Sequence, residues 1–269
     1  MTPITRRAIA GVTVAASALA MAACTSTATT AETSAEPTAS EAAAAAFPVT
    51  ITGMYGDVTI EEAPENIVVL GSREHELLYS LGLAPVLVAA HYLDTEDDDT
   101  YDYGSGPWAT EARLAVGAEP DTFSFGDLDA ELFLTYEPDL FVATYTDITQ
   151  EEYDLLSQIA PVVVRGADDD AYGMSLEDEL TLIGEATGTS EKAAEVVAEV
   201  DGMFADAVAA HPEWDGQSTV VGFWYDGQAG VYISSDGRNQ FLARLGFDVT
   251  VMDEYYDAEA FYTPLSSEQ

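Results

Sequence analysis

The segment that most restricts the fold is Ile67-Val68-Val69-Leu70-Gly71-Ser72. Four apolar residues in a row mark a strand buried on both faces, and the small residues after them open a helix over residues 73–81 that stops at Gly82. Residues 85–90 form a second apolar run. Strand, helix and strand in succession specify a parallel α/β layer. The same texture continues downstream. Residues 129–136 read as a helix stopped at Pro138, residues 140–143 as a buried strand, and residues 161–164 as the strand that closes this region. Between them Thr149 and Glu152 have the spacing of a capping box, opening a helix that runs to Ile159. Upstream, residues 49–52 and 58–60 flank Tyr55-Gly56-Asp57 as a small hairpin.

A different pattern follows. Nearly every residue from 175 to 211 favours helix, with a break near Gly188-Thr189-Ser190 and apolar positions such as Val196, Val197, Val200, Phe204 and Val208 at helical spacing. Beyond Pro212 strands return over residues 219–225 and 231–233, followed by a helix over 239–245 that ends at Gly246. These patterns predict an α/β protein in which a long helical segment separates two α/β regions. The N-terminal lobe spans 47–170, the connecting segment 171–212, and a partial C-terminal lobe 213–269. Ser266 and Gln269 repeat the capping-box spacing with no helix body after them, so the second lobe reads as incomplete and the chain as C-terminally truncated.

The first 46 residues belong to neither lobe. Arg6 and Arg7 precede an apolar or small stretch over residues 8–23, shorter than a membrane span of ~20 residues and laid out like an export signal. The stretch Leu19-Ala20-Met21-Ala22-Ala23-Cys24 resembles a bacterial lipobox, and Cys24 is the only cysteine, so a disulfide has no partner. Residues 1–23 are expected to be removed, Cys24 to carry lipid, and residues 24–46, rich in Ala, Thr, Ser and Glu, to act as a flexible tether. Whether export uses the general or the twin-arginine route is left open by the Arg6-Arg7 pair. The balance of 49 Asp and Glu against 8 Lys and Arg repels nucleic acid and anionic lipid surfaces, leaving the lipid to anchor the chain.

Several segments together carry a resemblance. Phe47-Pro48-Val49-Thr50, Ala63-Pro64-Glu65-Asn66-Ile67-Val68-Val69-Leu70 and Leu81-Gly82-Leu83-Ala84-Pro85-Val86 come first. Glu137-Pro138-Asp139-Leu140, Leu182-Ile183-Gly184-Glu185-Ala186-Thr187-Gly188 and Phe241-Leu242-Ala243-Arg244-Leu245-Gly246-Phe247 follow in order. This succession resembles the iron-siderophore substrate-binding lipoproteins of ABC importers over residues 47–269. The resemblance implies two Rossmann-like lobes joined by a long rigid helix, in a non-enzymatic, monomeric protein that binds a ferric siderophore between its lobes, needs no cofactor, and hands the cargo to a permease outside the cytoplasmic membrane. It also implies two glutamates that dock on the permease, matching Glu131 and Glu268 by position.

Ligands of open α/β sheets sit beyond the carboxyl ends of the strands. That nominates Ser72, Arg73, His91, Tyr92, Thr144 and Tyr145 from the first lobe. Trp224, Tyr225 and Arg238 are nominated from the second, with Trp108 in a loop able to reach the cleft. Aromatic rings suit a bulky chelate, and guanidinium groups suit its oxygens. So few basic residues favour a hydroxamate chelate over a strongly anionic tri-catecholate. Haem or cobalamin remain alternatives within the same fold, with His91 or a cleft tyrosine as a haem ligand. His75, His91 and His211 do not fall together as a site for bare metal. An extracytoplasmic hydrolase is a distant alternative, since no nucleophile elbow, zinc-protease helix or phosphate loop is present.

Overall fold

The computed structural model describes residues 46–90, 103–170, 172–225, 227–255 and 262–265. Cys24, the tether, His91, Tyr92 and Glu268 lie outside the described residues, as does the side chain of Tyr225.

The first lobe is organised by five parallel strands: β3 (Ile67–Val69), β4 (Leu87–Ala90), β5 (Asp121–Ser124), β6 (Leu140–Ala143) and β7 (Val162–Val164). Their order across the sheet is β5-β4-β3-β6-β7. A hairpin of β1 (Val49–Gly53) and β2 (Gly56–Ile60) packs alongside, in register from Val49 opposite Ile60 to Gly53 opposite Gly56. The apolar runs are continuous because both faces of the sheet are covered. Ile67, Val69, Val88, Leu140, Val142 and Val163 point to one face, where they meet Ile51, Ile60 and helix α1 (Glu74–Ser80). Val68, Leu87, Phe141, Ala143 and Val162 point to the other, against Phe133 of α3 (Ala130–Leu134) and Leu156 of α4 (Gln150–Leu156). Phe133 stacks edge-on with both Phe123 and Phe141, at 5.2 and 5.7 Å between ring centres.

Helix ends follow the local chemistry. Thr149 and Glu152 form the expected reciprocal capping box at the start of α4. Asp129 caps α3 by accepting from the Glu131 and Leu132 N–H groups. In the first lobe the apolar-run reading misses the 3-10 turn over Pro107–Ala109, the helix α2 (Thr110–Val116) that it leads into, and β5. β5 is an edge strand in which only Phe123 is buried, so it presents no apolar run to recognise.

The helical segment is two helices, not one rod. α5 (Leu176–Thr187) ends at Gly188, and α6 (Ser190–Ala210) turns back against it. The two cross closely at Gly184, where a Cβ would lie 2.7 Å from that of Ala193. Leu180, Ile183, Ala186 and Ala193 join the first-lobe core, so α5 and the start of α6 belong to that lobe. The 21 residues of α6 span about 30 Å. Its far half reaches α7 (Gly237–Arg244) of the second lobe, where Phe204 meets Phe241 at 5.2 Å and Arg244 pairs with Asp201 at 2.5 Å.

In the second lobe β8 (Gly222–Tyr225), β9 (Gln228–Tyr232) and β10 (Tyr262–Pro264) pair antiparallel in the order β10-β9-β8. A single parallel bridge joins Ser218 to Asp248. Asn239 ties α7 to this sheet, accepting from the Val221 N–H at 2.9 Å and donating to the Tyr232 and Ile233 carbonyls.

Phe141 is fully buried at the centre of the parallel sheet. Phe141→Ala is expected to destabilise the first lobe by about 3–5 kcal/mol, read from the midpoint of urea unfolding.

Candidate functional site

The parallel sheet reverses direction of winding between β3 and β6, and a crevice opens there beyond the carboxyl ends of the strands. The turn after β3 carries Gly71, Ser72, Arg73 and Glu74; the turn after β6 carries Thr144 and Tyr145. Gly71 has no side chain for a steric reason. A Cβ there would lie 1.9 Å from Oε1 of Glu74, whose carboxylate folds back over the turn.

Glu74 has no solvent exposure. Its Oε1 accepts from the Tyr145 N–H at 2.8 Å and its Oε2 from the Arg73 N–H at 3.1 Å, so it pins the two turns of the crevice together. Burial, seconded by the nearby Glu179 carboxylate, pushes its pKa up to about 7, against the pull of the backbone N–H donors. Glu179, from α5, is buried as deeply. Its Oε2 accepts from Nε and Nη2 of Arg73 at 2.9 and 2.5 Å, and its Oε1 accepts from the Thr144 hydroxyl at 2.8 Å. Burial raises its pKa as well, with the Arg73 guanidinium opposing.

Arg73 is thus held along one edge by Glu179, with Nη2 also donating to the Met174 carbonyl at 3.2 Å. One face of its guanidinium lies 3.5 Å from the centre of the Tyr145 ring. Nη1 hydrogen-bonds to none of the described residues and faces the second lobe. A Cβ on Gly237, at the start of α7, would stand 3.6 Å from this nitrogen and 3.4 Å from the Tyr145 hydroxyl. Asp236 caps α7 and pairs with Arg238 at 2.9 Å, and the Arg238 guanidinium lies 4.0 Å over the Tyr232 ring. Tyr145 packs edge-on against Tyr172 at 5.5 Å. Burial raises the Tyr145 pKa, and it lies near enough to feel Arg73, Asp236, Glu179 and Arg238. Two hydrogen bonds join the lobes beside this cluster: Ser235 Oγ to Asp170 at 2.8 Å and Gln240 Nε2 to the Gly173 carbonyl at 2.6 Å.

Of the residues nominated from sequence, Arg73, Tyr145 and Arg238 converge here. Ser72 is half-buried in the turn before Arg73. Thr144 is fully buried with its hydroxyl spent on Glu179, so it supports the site and does not face a ligand. Trp108 stands 69% exposed on its 3-10 turn, with Nε1 donating to Glu76 at 2.9 Å, one turn of helix from Arg73. Trp224 is 74% exposed on β8. Glu131 is exposed in the first turn of α3. His75 is buried inside the first lobe, where desolvation lowers its pKa to about 4. His211 is exposed, stacked on Trp214 at 4.0 Å and paired with Glu213. No group of three or more His, Cys, Asp or Glu able to hold a metal occurs among the described residues.

Glu74, Glu179, Tyr172 and Asp236 were not singled out from the sequence. A signal existed for Glu179, which sits next to Leu180 and four residues before Ile183, on the apolar stripe of α5. Beside the crevice a groove of about 790 Å³ runs from Arg73 and Gly237 down between α6 and α7. Val200, Met203, Phe204 and Phe241 line it, so its walls are largely apolar.

No helix among the described residues is long and apolar enough to cross a membrane. Over 68% of its length the chain is 26% identical to "Probable siderophore-binding lipoprotein YfiY" of Bacillus subtilis, covering 52% of that protein. It is 29% identical over 76% of its length to the ferric enterobactin-binding periplasmic protein FepB of Escherichia coli, covering 63% of it. The chain therefore spans between half and two thirds of these relatives. Among solved structures, Streptococcus pneumoniae PiaA in complex with ferrichrome superposes with a TM-score of 0.71 at 22% identity, over 82% of this chain and 74% of PiaA. That likeness reports the fold. The sequence pattern of the periplasmic binding protein family matches residues 67–269, and the chain belongs to that family.

Proposed function

We propose that this protein is the extracytoplasmic receptor of an ABC importer, a lipoprotein that binds a ferric siderophore between its lobes and delivers it to the permease without catalysing any reaction. The observation that carries the reading is Arg73. It is locked by Glu179 and Tyr145 with Nη1 directed toward the second lobe, at the crevice where ligands of such sheets bind. Relatives named for siderophore binding and a structural neighbour crystallised with ferrichrome support the cargo class.

The finer reading is a hydroxamate chelate. A net charge of −41 repels a strongly anionic complex, while Arg73 and Arg238 are each already paired with a carboxylate. Tyr145, Tyr172 and Tyr232 supply amphipathic rings around the two guanidinium groups. Anchoring through Cys24, a tether over residues 24–46, and docking on the permease through Glu131 and Glu268 complete the proposal.

Titration of the purified protein with a ferric trihydroxamate, a ferric tricatecholate, ferric citrate and haemin, followed by intrinsic tryptophan emission, tests the cargo. The trihydroxamate is expected to bind most tightly, and absence of quenching by all four rejects the reading. Arg73→Ala removes charge-assisted hydrogen bonds worth about 1.5–3 kcal/mol and is expected to raise the Kd about 10- to 100-fold. Glu131→Arg is expected to leave the Kd unchanged while lowering iron uptake by cells that carry the permease. Cys24→Ala is expected to shift the protein from the detergent phase to the aqueous phase in Triton X-114 partitioning of expressing cells.

A further inference from the structure

Resting on the siderophore-binding reading, we infer that Glu74 and Glu179 are a positioning pair for Arg73 that takes up a proton when an anionic chelate binds. Neither carboxylate is a ligand contact. Both have no solvent exposure, and their oxygens are occupied by the Arg73 and Tyr145 N–H groups, the Arg73 guanidinium and the Thr144 hydroxyl. Yet the two acids lie close enough to repel each other, and the one guanidinium beside them hydrogen-bonds to Glu179 and not to Glu74. At the buried end the balance is one positive charge for two carboxylates.

The groups around the pair fix the sign of the effect. From its own turn, Glu74 faces Arg73; from α5 comes Glu179; from the turn after β6 come Thr144 and the Tyr145 phenol. Asp236 and Arg238 of α7 act from across the crevice through Tyr145 and compensate each other as an ion pair. Glu76, one turn along α1, accepts from Trp108 Nε1 and lies within electrostatic reach of Arg73. Arg73 is therefore the only cation that touches the pair among the described residues. A chelate whose negatively charged oxygens engage the open edge of Arg73 adds negative potential beside both carboxylates and draws the guanidinium toward itself. Each change favours the protonated carboxyl. Burial already raises both carboxyls in the ligand-free site, Glu74 to about 7, so the bound site holds its proton to higher pH. Binding then consumes a proton from solvent. Affinity is full below the ligand-free value and falls as pH rises through and beyond it, by up to about tenfold per pH unit for one proton.

Isothermal titration of the full chain with a ferric tricatecholate and with ferrichrome, in phosphate and in Tris, counts the protons directly. At pH 8 the tricatecholate is expected to show heats that differ between the buffers by an uptake approaching one proton, with smaller uptake for the uncharged ferrichrome. At pH 5.5, below the raised value of Glu74, that carboxyl already carries its proton and the heats are expected to agree between buffers. Glu179→Gln keeps an oxygen acceptor for Arg73 but removes the like charge, and is expected to abolish the uptake at pH 8; a purely structural role would change the Kd and leave the buffer dependence intact. Wild-type binding of the tricatecholate with buffer-independent heat at pH 8 overturns the proton linkage and leaves the function standing. Binding of ferrichrome with no binding of the tricatecholate at either pH likewise overturns the proton linkage and leaves the function standing, and failure of both chelates overturns both.

Discussion

The Arg73 guanidinium is fixed on one edge by Glu179 and on one face by Tyr145, and the three residues come from three separate elements. Arg73 follows β3, Tyr145 follows β6, and Glu179 stands on α5. Bringing them together requires the sheet order in which β3 and β6 are neighbours and the packing of α5 onto the face that also carries Ile67 and Val69. An ion pair with a fully buried carboxylate and a partly exposed guanidinium adds little net stability, because desolvation of the carboxylate offsets the attraction. Its contribution is to geometry. Glu74, clasping the turns after β3 and β6 through backbone N–H groups, keeps the platform beneath the pair from spreading.

The second lobe meets that platform at a helix start. Gly237 brings the backbone of α7 against Tyr145 and Arg73, and Asp236 holds Arg238 beside it. The Ser235 to Asp170 and Gln240 to Gly173 hydrogen bonds set this approach from the segment that leaves β7. Cationic and aromatic groups thus line a crevice in a chain whose surface is overwhelmingly acidic, and each cation there already has a carboxylate partner.

The parallel sheet was legible in the sequence because its strands are buried on both faces and appear as uninterrupted apolar runs. The capping box at Thr149 and the break at Gly188 were legible because they depend on neighbours within a few residues. β5 was not, since an edge strand with one buried residue leaves no periodic trace. At the site, Arg73, Tyr145 and Arg238 followed from their places at strand and helix ends. Glu74 and Glu179 did not, because an acid among 49 others carries no mark of burial until the packing around it is known. Thr144 was found at the right place with the wrong orientation: alternation along β6 fixes which face a residue takes, but not whether a hydroxyl just beyond the strand turns to the crevice or to a buried carboxylate.

The lobes are linked by a helix whose first turns are cemented into one core and whose last turns clasp the other through Phe204, Phe241, Arg244 and Asp201. A strut of that kind resists bending far more than a pair of extended strands would, so the mouth of the crevice has little freedom to open wide or clamp down. Recognition in such an architecture draws on groups already set in place before the guest arrives, and little ordering entropy is lost at capture. The same stiffness means that the width and charge of a nearly fixed gap would decide which guests fit.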